Sequence, residues 1–278
     1  MNFLSAEHYL GLVALGMGVG CYGTLIGAGG GFVLMPVLLL MFPNKNANLL
    51  TSISLAVVFF NALSGSEAYA MMKRIDYRSG FMFSMATIPG AILGALNTSG
   101  IPRHVFDIIF AVILLAGGAF LGLRSGKTYE SRIPSAVTRF KISRRLIDAH
   151  GTEYRYEFNW VLGVVLSIAV GYVSSFLGIG GGIIHVPALC CLLNFPIHIA
   201  TATSHFILAV MALTGTVVHI FTGSLALGVH LTIALAIGVV IGAQIGARLS
   251  EKVRGGWIIR GLAMALALVG VRILTVYW

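Results

Sequence analysis

The sequence predicts an all-α polytopic membrane protein made of two inverted repeats, each a glycine-broken helical hairpin followed by three further spanning helices. Three observations lead there. Hydrophobic residues make up 58% of the 278-residue chain and charged residues only 10%, too little polar surface to clothe a soluble fold of this size. Apolar runs at 47–72, 80–97, 104–123, 200–222, 229–247 and 256–276 reach or approach the roughly 20 residues that cross a bilayer core. Gly27-Ala-Gly-Gly-Gly31 with Pro36 returns as Gly178-Ile-Gly-Gly-Gly182 with Pro187, so one apolar run is interrupted in the same way in both halves.

The elements follow in order. In hydrocarbon every backbone amide needs an internal partner, and the alternation of a membrane strand is absent, so the spans are helices. The first repeat opens with a helix at 8–26, the glycine break and a short helix at 32–42; the second matches it with 158–177, the break and 183–193. Short arms of about 11 residues rise only about 16 Å, so they are expected to meet near the midplane rather than span. Pro36 and Pro187 are expected in the first turn of those arms, where a missing N–H costs little. Thr51-Ser52 pairs with Thr203-Ser204, and Gly90-Ala-x-x-Gly94-Ala95 with Gly242-Ala-x-x-Gly246-Ala247, both at a spacing one residue longer than that of the breaks. The latter four glycines are expected to permit tight helix contact. The domains are therefore 1–122, a first membrane repeat; 123–157, a linker with eight of the 18 basic residues; and 158–278, a second membrane repeat.

Charge sets the orientation. With 123–157 on the cytoplasmic side, inverted repeats place 15 of 18 Lys and Arg residues inside, whereas parallel repeats place 12 there. Inverted repeats are favoured, with both termini outside and the linker in the cytoplasm. The net charge of +9 is thus a property of cytoplasmic loops and implies no nucleic-acid partner. The N-terminus lacks a basic n-region, so the first segment is expected to remain as an anchor. Cys21, Cys190 and Cys191 lie in apolar segments without metal-type spacing and read as small buried residues. No cofactor, metal site or P-loop is expected, because the glycine runs lack the Lys-Ser/Thr that would follow.

The breaks carry the chemistry. The first amides of a helix have no carbonyl partner and bear about half a positive charge, so an unwound glycine stretch before a short helix is an anion cradle within lipid. Gly29, Gly30, Gly31, Gly180, Gly181 and Gly182 have no side chain to block a ligand. Thr51, Ser52, Asn61, Thr203, Ser204 and His205 add hydrogen-bond donors at membrane depth, while acids in the spans are almost limited to Glu67 and Asp107. A cation carrier would bury carboxylates, so the expected partner is a small anion, alongside the lipid bilayer. His185, on the first turn after the second break, is either a satisfied buried histidine or a substrate contact. The same pair of readings holds for His205, and either ring could carry a coupling proton. His198, His219 and His230 read as structural. Glu67 is expected to pair with Lys73 or Arg74, and Asp107 with Arg103 one turn away.

These residues resemble the sulfite exporter TauE/SafE family, also called the 4-toluene sulfonate uptake permease family. The resemblance rests on Gly27–Gly31 with Pro36, Gly178–Gly182 with Pro187, and the two Thr-Ser pairs, and covers the chain apart from its central linker. It implies an inner-membrane secondary transporter of sulfur oxyanions or organosulfonates, such as sulfite, thiosulfate or sulfoacetate, working by alternating access. Such a protein is not an enzyme, and homodimer formation is compatible with the sequence. An anion channel shares the site chemistry. An integral-membrane enzyme acting on sulfur or lipid species would need a nucleophile–base or metal constellation, which the spacing does not supply.

Overall fold

The computed structural model describes residues 6–124, 140–250, 252 and 255–276. The sequence readings of Met1–Ser5 and of 125–139 lie outside the described residues. The first half comprises α1 (Ala6–Ile26), α2 (Gly31–Met41), α3 (Ala47–Met71), α4 (Tyr77–Asn97) and α5 (Arg103–Arg124). The second comprises α6 (Trp160–Leu177), α7 (Gly182–Pro187), α8 (Ile197–Phe221), α9 (Val229–Ser250) and α10 (Gly255–Val276). Between them stands a two-stranded antiparallel hairpin, β1 (Lys141–Ile147) and β2 (Glu153–Asn159). The chain is thus a multi-pass helical membrane protein. Six of its helices are long and apolar enough to cross a bilayer, and bulky apolar side chains such as Leu10, Val165, Phe221 and Leu268 stand exposed on its outer face.

Glycines set the packing of the halves. A Cβ at Gly242 would stand 2.1 Å from the Met17 carbonyl oxygen, and one at Gly246 would stand 2.1 Å from that of Cys21. The same holds for Gly90 against Ile168 and Gly94 against Tyr172. The four glycines therefore act as expected, letting α9 run parallel to α1, and α4 parallel to α6, in backbone contact. The central pair runs the other way: Gly65 of α3 lies against His205 of α8, and Gly215 of α8 against Leu55 of α3. Residue numbers add in opposite senses along these contacts, so α3 and α8 are antiparallel.

Two sequence expectations need correction. Pro36 and Pro187 each occupy the sixth residue of their helix, not the first turn. There the missing N–H deprives the carbonyls of Phe32 and Ile183 of an α-helical donor. In the second half, α7 passes directly into a π-helical turn, Ala188–Leu192. The two Thr-Ser pairs are also not structural counterparts. The breaks are related by 151 residues, but Gly65 and Leu55 find their counterparts in Gly215 and His205, 150 residues on. The physical reason is loop length. The connection 193–196 is one residue shorter than 42–46, and 222–228, which contains a 3-10 turn, is two longer than 72–76.

Ion pairs sit at helix ends. Arg103 pairs with Asp107 at 2.9 Å as expected, and it also donates to the carbonyls of Leu39 (3.0 Å) and Lys45 (2.6 Å), capping the C-terminal end of α2. Glu67 is exposed, and Arg74 pairs instead with Asp148 of the hairpin at 3.7 Å.

Candidate anion site at the crossing of the two glycine breaks

Helix α1 stops because Gly27 adopts φ +83°, and α6 stops because Gly178 adopts φ +69°; a side chain would strain both. Gly29 and Gly30 (φ +76° and +74°) and Gly180 and Gly181 (+73° and +53°) hold the chain unwound until α2 and α7 begin. The two loops then meet. A Cβ at Gly31 would lie 2.5 Å from the Ile179 carbonyl oxygen, and one at Gly182 would lie 2.5 Å from that of Gly27. Both loops are fully buried, walled by Val19, Val58, Leu208 and Met211. A cavity of about 460 Å³ lies elsewhere, at the Glu7 end of α1, against Leu12, Met41, Phe42 and Leu231. Its walls are largely apolar, and the polar chemistry is at the crossing.

Hydrogen-bond accounting shows what the crossing lacks. The amides of Gly27, Ala28 and Gly29 continue the winding of α1 by donating to Thr24 and Gly23, and those of Gly178 and Ile179 donate to Ser174. The break carbonyls are used as well. Ser54 Oγ donates to the Gly178 carbonyl at 2.5 Å, and Ser204 Oγ to that of Gly27 at 3.4 Å. The amides of Gly30, Gly31 and Phe32, and of Gly180, Gly181 and Ile183, have no acceptor among the described residues. The hydroxyls of Thr51, Ser174 and Ser175 and Nδ2 of Asn61 are buried without a partner too. Buried donors are normally satisfied, so this surplus sets the crossing apart as a candidate site.

A polar cluster flanks the first break. Thr24 Oγ1 donates to Asn61 Oδ1 at 3.2 Å, which commits the hydroxyl proton. His205 Nε2 lies 3.2 Å from the same hydroxyl oxygen. On its other side the ring faces the carbonyls of Thr201 and Gly27. Tyr69 packs edge-on to His205, 5.5 Å between ring centres, and donates to the Thr24 carbonyl at 2.8 Å. The counterparts of Thr24, Asn61, His205 and Tyr69 in the other half are Ser175, Met211, Leu55 and His219. The two sides of the crossing are therefore chemically unlike.

The structure gathers some of the sequence-predicted residues and disperses others. Gly29, Gly30, Gly31, Gly180, Gly181 and Gly182 form the crossing, with Thr51 against Gly178 and Ser204 against Gly27. Asn61 and His205 lie in the flanking cluster. Ser52 instead donates to the carbonyl of Leu49 at 2.7 Å and faces that of Ser224. Thr203 accepts the Asp76 amide at 3.1 Å, and His185 is bonded to Ser167 at 3.2 Å. The packing adds Thr24, Ser54, Ser174 and Ser175, which the glycine breaks and Thr-Ser pairs do not mark. The signal that finds Ser54 is Thr51-x-x-Ser54, repeated as Thr201-x-x-Ser204 at the spacing the packing uses.

Fold and site together define a multi-pass helical membrane protein with two crossed, glycine-broken helices. The chain belongs to the sulfite exporter TauE/SafE family, whose model matches residues 12–273. A Bacillus subtilis protein described as probable membrane transporter protein YunE is 33% identical over 218 residues, covering 76% of this chain and 78% of that protein. Probable membrane transporter protein MJ0441 of Methanocaldococcus jannaschii is 25% identical over 211 residues, 74% and 70% of the two chains. A probable membrane transporter protein of Xylella fastidiosa is 26% identical over 187 residues, 66% and 64%. No solved structure matches the chain.

Proposed function

We propose that this protein is a secondary-active transporter of small sulfur oxyanions or organosulfonates, working by alternating access around an anion site at the glycine crossing. The observation that carries this reading is the donor surplus: six backbone amides at the crossing and four side chains at or beside it have hydrogens to give and no acceptor among the described residues. A tetrahedral oxyanion offers acceptors in several directions, and in a buried site each charge-assisted hydrogen bond is worth about 1.5–3 kcal/mol. No carboxylate hydrogen-bonds to the breaks among the described residues, which fits an anion and not a metal ion.

Inverted repeats are supported by the antiparallel α3–α8 pair, since repeats related by an axis along the membrane normal would have equivalent helices parallel. With the basic linker in the cytoplasm of an inner membrane, the 72–76 turn, the hairpin and the 193–196 connection lie inside, and both termini outside. The test is uptake of sulfite, thiosulfate and a short sulfonate into proteoliposomes, with a thermal-shift panel on the purified protein. Saturable uptake with exchange across the membrane is expected. Chemical change of the solute would indicate an enzyme, and non-saturating flux a channel.

A further inference from the structure

We infer that the β1–β2 hairpin is a latch that holds one end of the transporter shut, and that substrate passes that end only when the hairpin lets go of the first half. This rests on the transport reading above.

The hairpin is built on the second half. Strand β2 runs without a break into α6, whose first amides at Val161 and Leu162 are capped by Asn159 Oδ1 at 3.0 and 3.2 Å. Tyr156 and Phe158 stack on Phe195 of the 193–196 connection, with ring centres 4.5 and 5.0 Å apart. From that base the hairpin grips the first half. Tyr156 Oη donates to Asp76 Oδ2 at 2.8 Å, and Arg144, its cross-strand neighbour, stands 3.6 Å from the same carboxylate. Asp148, in the hairpin turn, faces Arg74 at 3.7 Å, and the Ala149 amide donates to the Met72 carbonyl at 3.0 Å. All of Met72, Arg74 and Asp76 belong to the connection between α3 and α4.

Asp76 is the hub. It is 6% exposed, also accepts from the amide and hydroxyl of Ser79, and through its own amide holds Thr203 of α8. Burial, and then the neighbouring Asp76 carboxylate, push the Tyr156 phenol well up, so it remains a donor at any working pH. Asp148 behaves oppositely: burial would raise it, but the amides of Thr152 and His150 and the charge of Arg74 hold its carboxyl below the usual range. If the halves rock against each other, the 72–76 connection must move relative to Phe195 and α6. The contacts of Tyr156, Arg144, Asp148 and Ala149 with Met72, Arg74 and Asp76 all cross that boundary. Packed interfaces of this kind switch between discrete arrangements and do not stretch, so the hairpin is held or released as a unit.

The decisive experiment uses the full chain carrying Met72→Cys and Ala149→Cys. The Ala149–Met72 hydrogen bond brings these residues within reach of a short, reducible bis-thiosulfonate cross-linker. Cross-linked and reduced samples are compared in proteoliposomes for thiosulfate, sulfite and short-sulfonate uptake, and in detergent for anion-induced thermal shift. The latch predicts at least a tenfold loss of uptake on cross-linking, an unchanged thermal shift, and recovery of uptake in the same sample after reduction. Equal uptake by cross-linked and reduced protein would overturn the latch while leaving transport standing. If the uncross-linked protein carries none of these anions, the transport reading fails and the latch falls with it.

Discussion

Placing a methyl group at the crossing is the sharpest perturbation the fold offers. In Gly182→Ala the new Cβ would stand 2.5 Å from the Gly27 carbonyl oxygen and 2.6 Å from the Ala28 Cα, about 0.9 Å inside the 3.4 Å at which ordinary contact begins. Both neighbours are backbone, so no rotamer change relieves the clash and the two loops must separate. Gly182 has an ordinary negative φ, so the whole effect is steric. Overpacking of this kind costs roughly 1–3 kcal/mol. At about 2–4 °C per kcal/mol, thermal unfolding should fall by roughly 2–12 °C. If the separation misaligns the unpaired amides, anion affinity should drop by a factor of about 5–150. Gly11→Ala is the matched control, because it borders the open cavity at the Glu7 end of α1 and nothing lies within 4 Å of its Cβ. Thermal unfolding with and without thiosulfate, plus titration calorimetry, measures both quantities. A Gly182→Ala protein that unfolds and binds like Gly11→Ala would refute the reasoning.

Further outcomes follow from the same geometry. Ser54→Ala removes the 2.5 Å donor to the Gly178 carbonyl and should destabilise by about 1–3 kcal/mol, whereas Ser52→Ala, whose hydroxyl serves its own helix, should leave anion binding within twofold; side-by-side melts and titrations of the two check this. Asn61→Leu deletes a buried donor on the polar side of the crossing and should weaken oxyanion affinity by roughly 10- to 150-fold in calorimetry. The depressed Asp148 carboxyl makes a signed prediction. Hairpin docking should be fully supported above the ordinary value of 3.8 and be lost as pH falls below it. Exchange protection of the Ala149 amide, corrected for intrinsic rate, reads this directly, and Asp148→Asn should abolish the acid step.

Much of this was written plainly in the residues. Each spanning helix falls within a few residues of its apolar run, and the breaks at Gly27–Gly31 and Gly178–Gly182 sit where eight clustered glycines, six of them at positive φ, interrupt the helix. The helix-contact glycines followed from small residues four apart. The register of α3 against α8 did not. Thr51-Ser52 and Thr203-Ser204 match as letters, but unequal loops slide the helices by two residues and turn Ser52 and Thr203 to other neighbours. The hairpin was hidden for a different reason. Its high charge is that of a solvated linker, yet Ile142, Arg144 and Leu146 alternate inward against Phe158, Tyr156 and Tyr154 around a turn at Asp148–Gly151. Thr24, Ser174 and Ser175 are single small polar residues in apolar helices, and only the packing distinguishes them from ordinary helix-contact residues.

The central claim is that the unpaired amides of two crossed glycine loops hold an anion. A structure of the protein in lipid with selenate, a heavy tetrahedral oxyanion locatable by its anomalous scattering, tests it most directly. The account predicts selenium between Gly30–Phe32 and Gly180–Ile183, with its oxygens on those amides and on Thr51, Ser174 or Asn61. Selenate bound saturably at any other place, with the loops still clamped on each other, would contradict it.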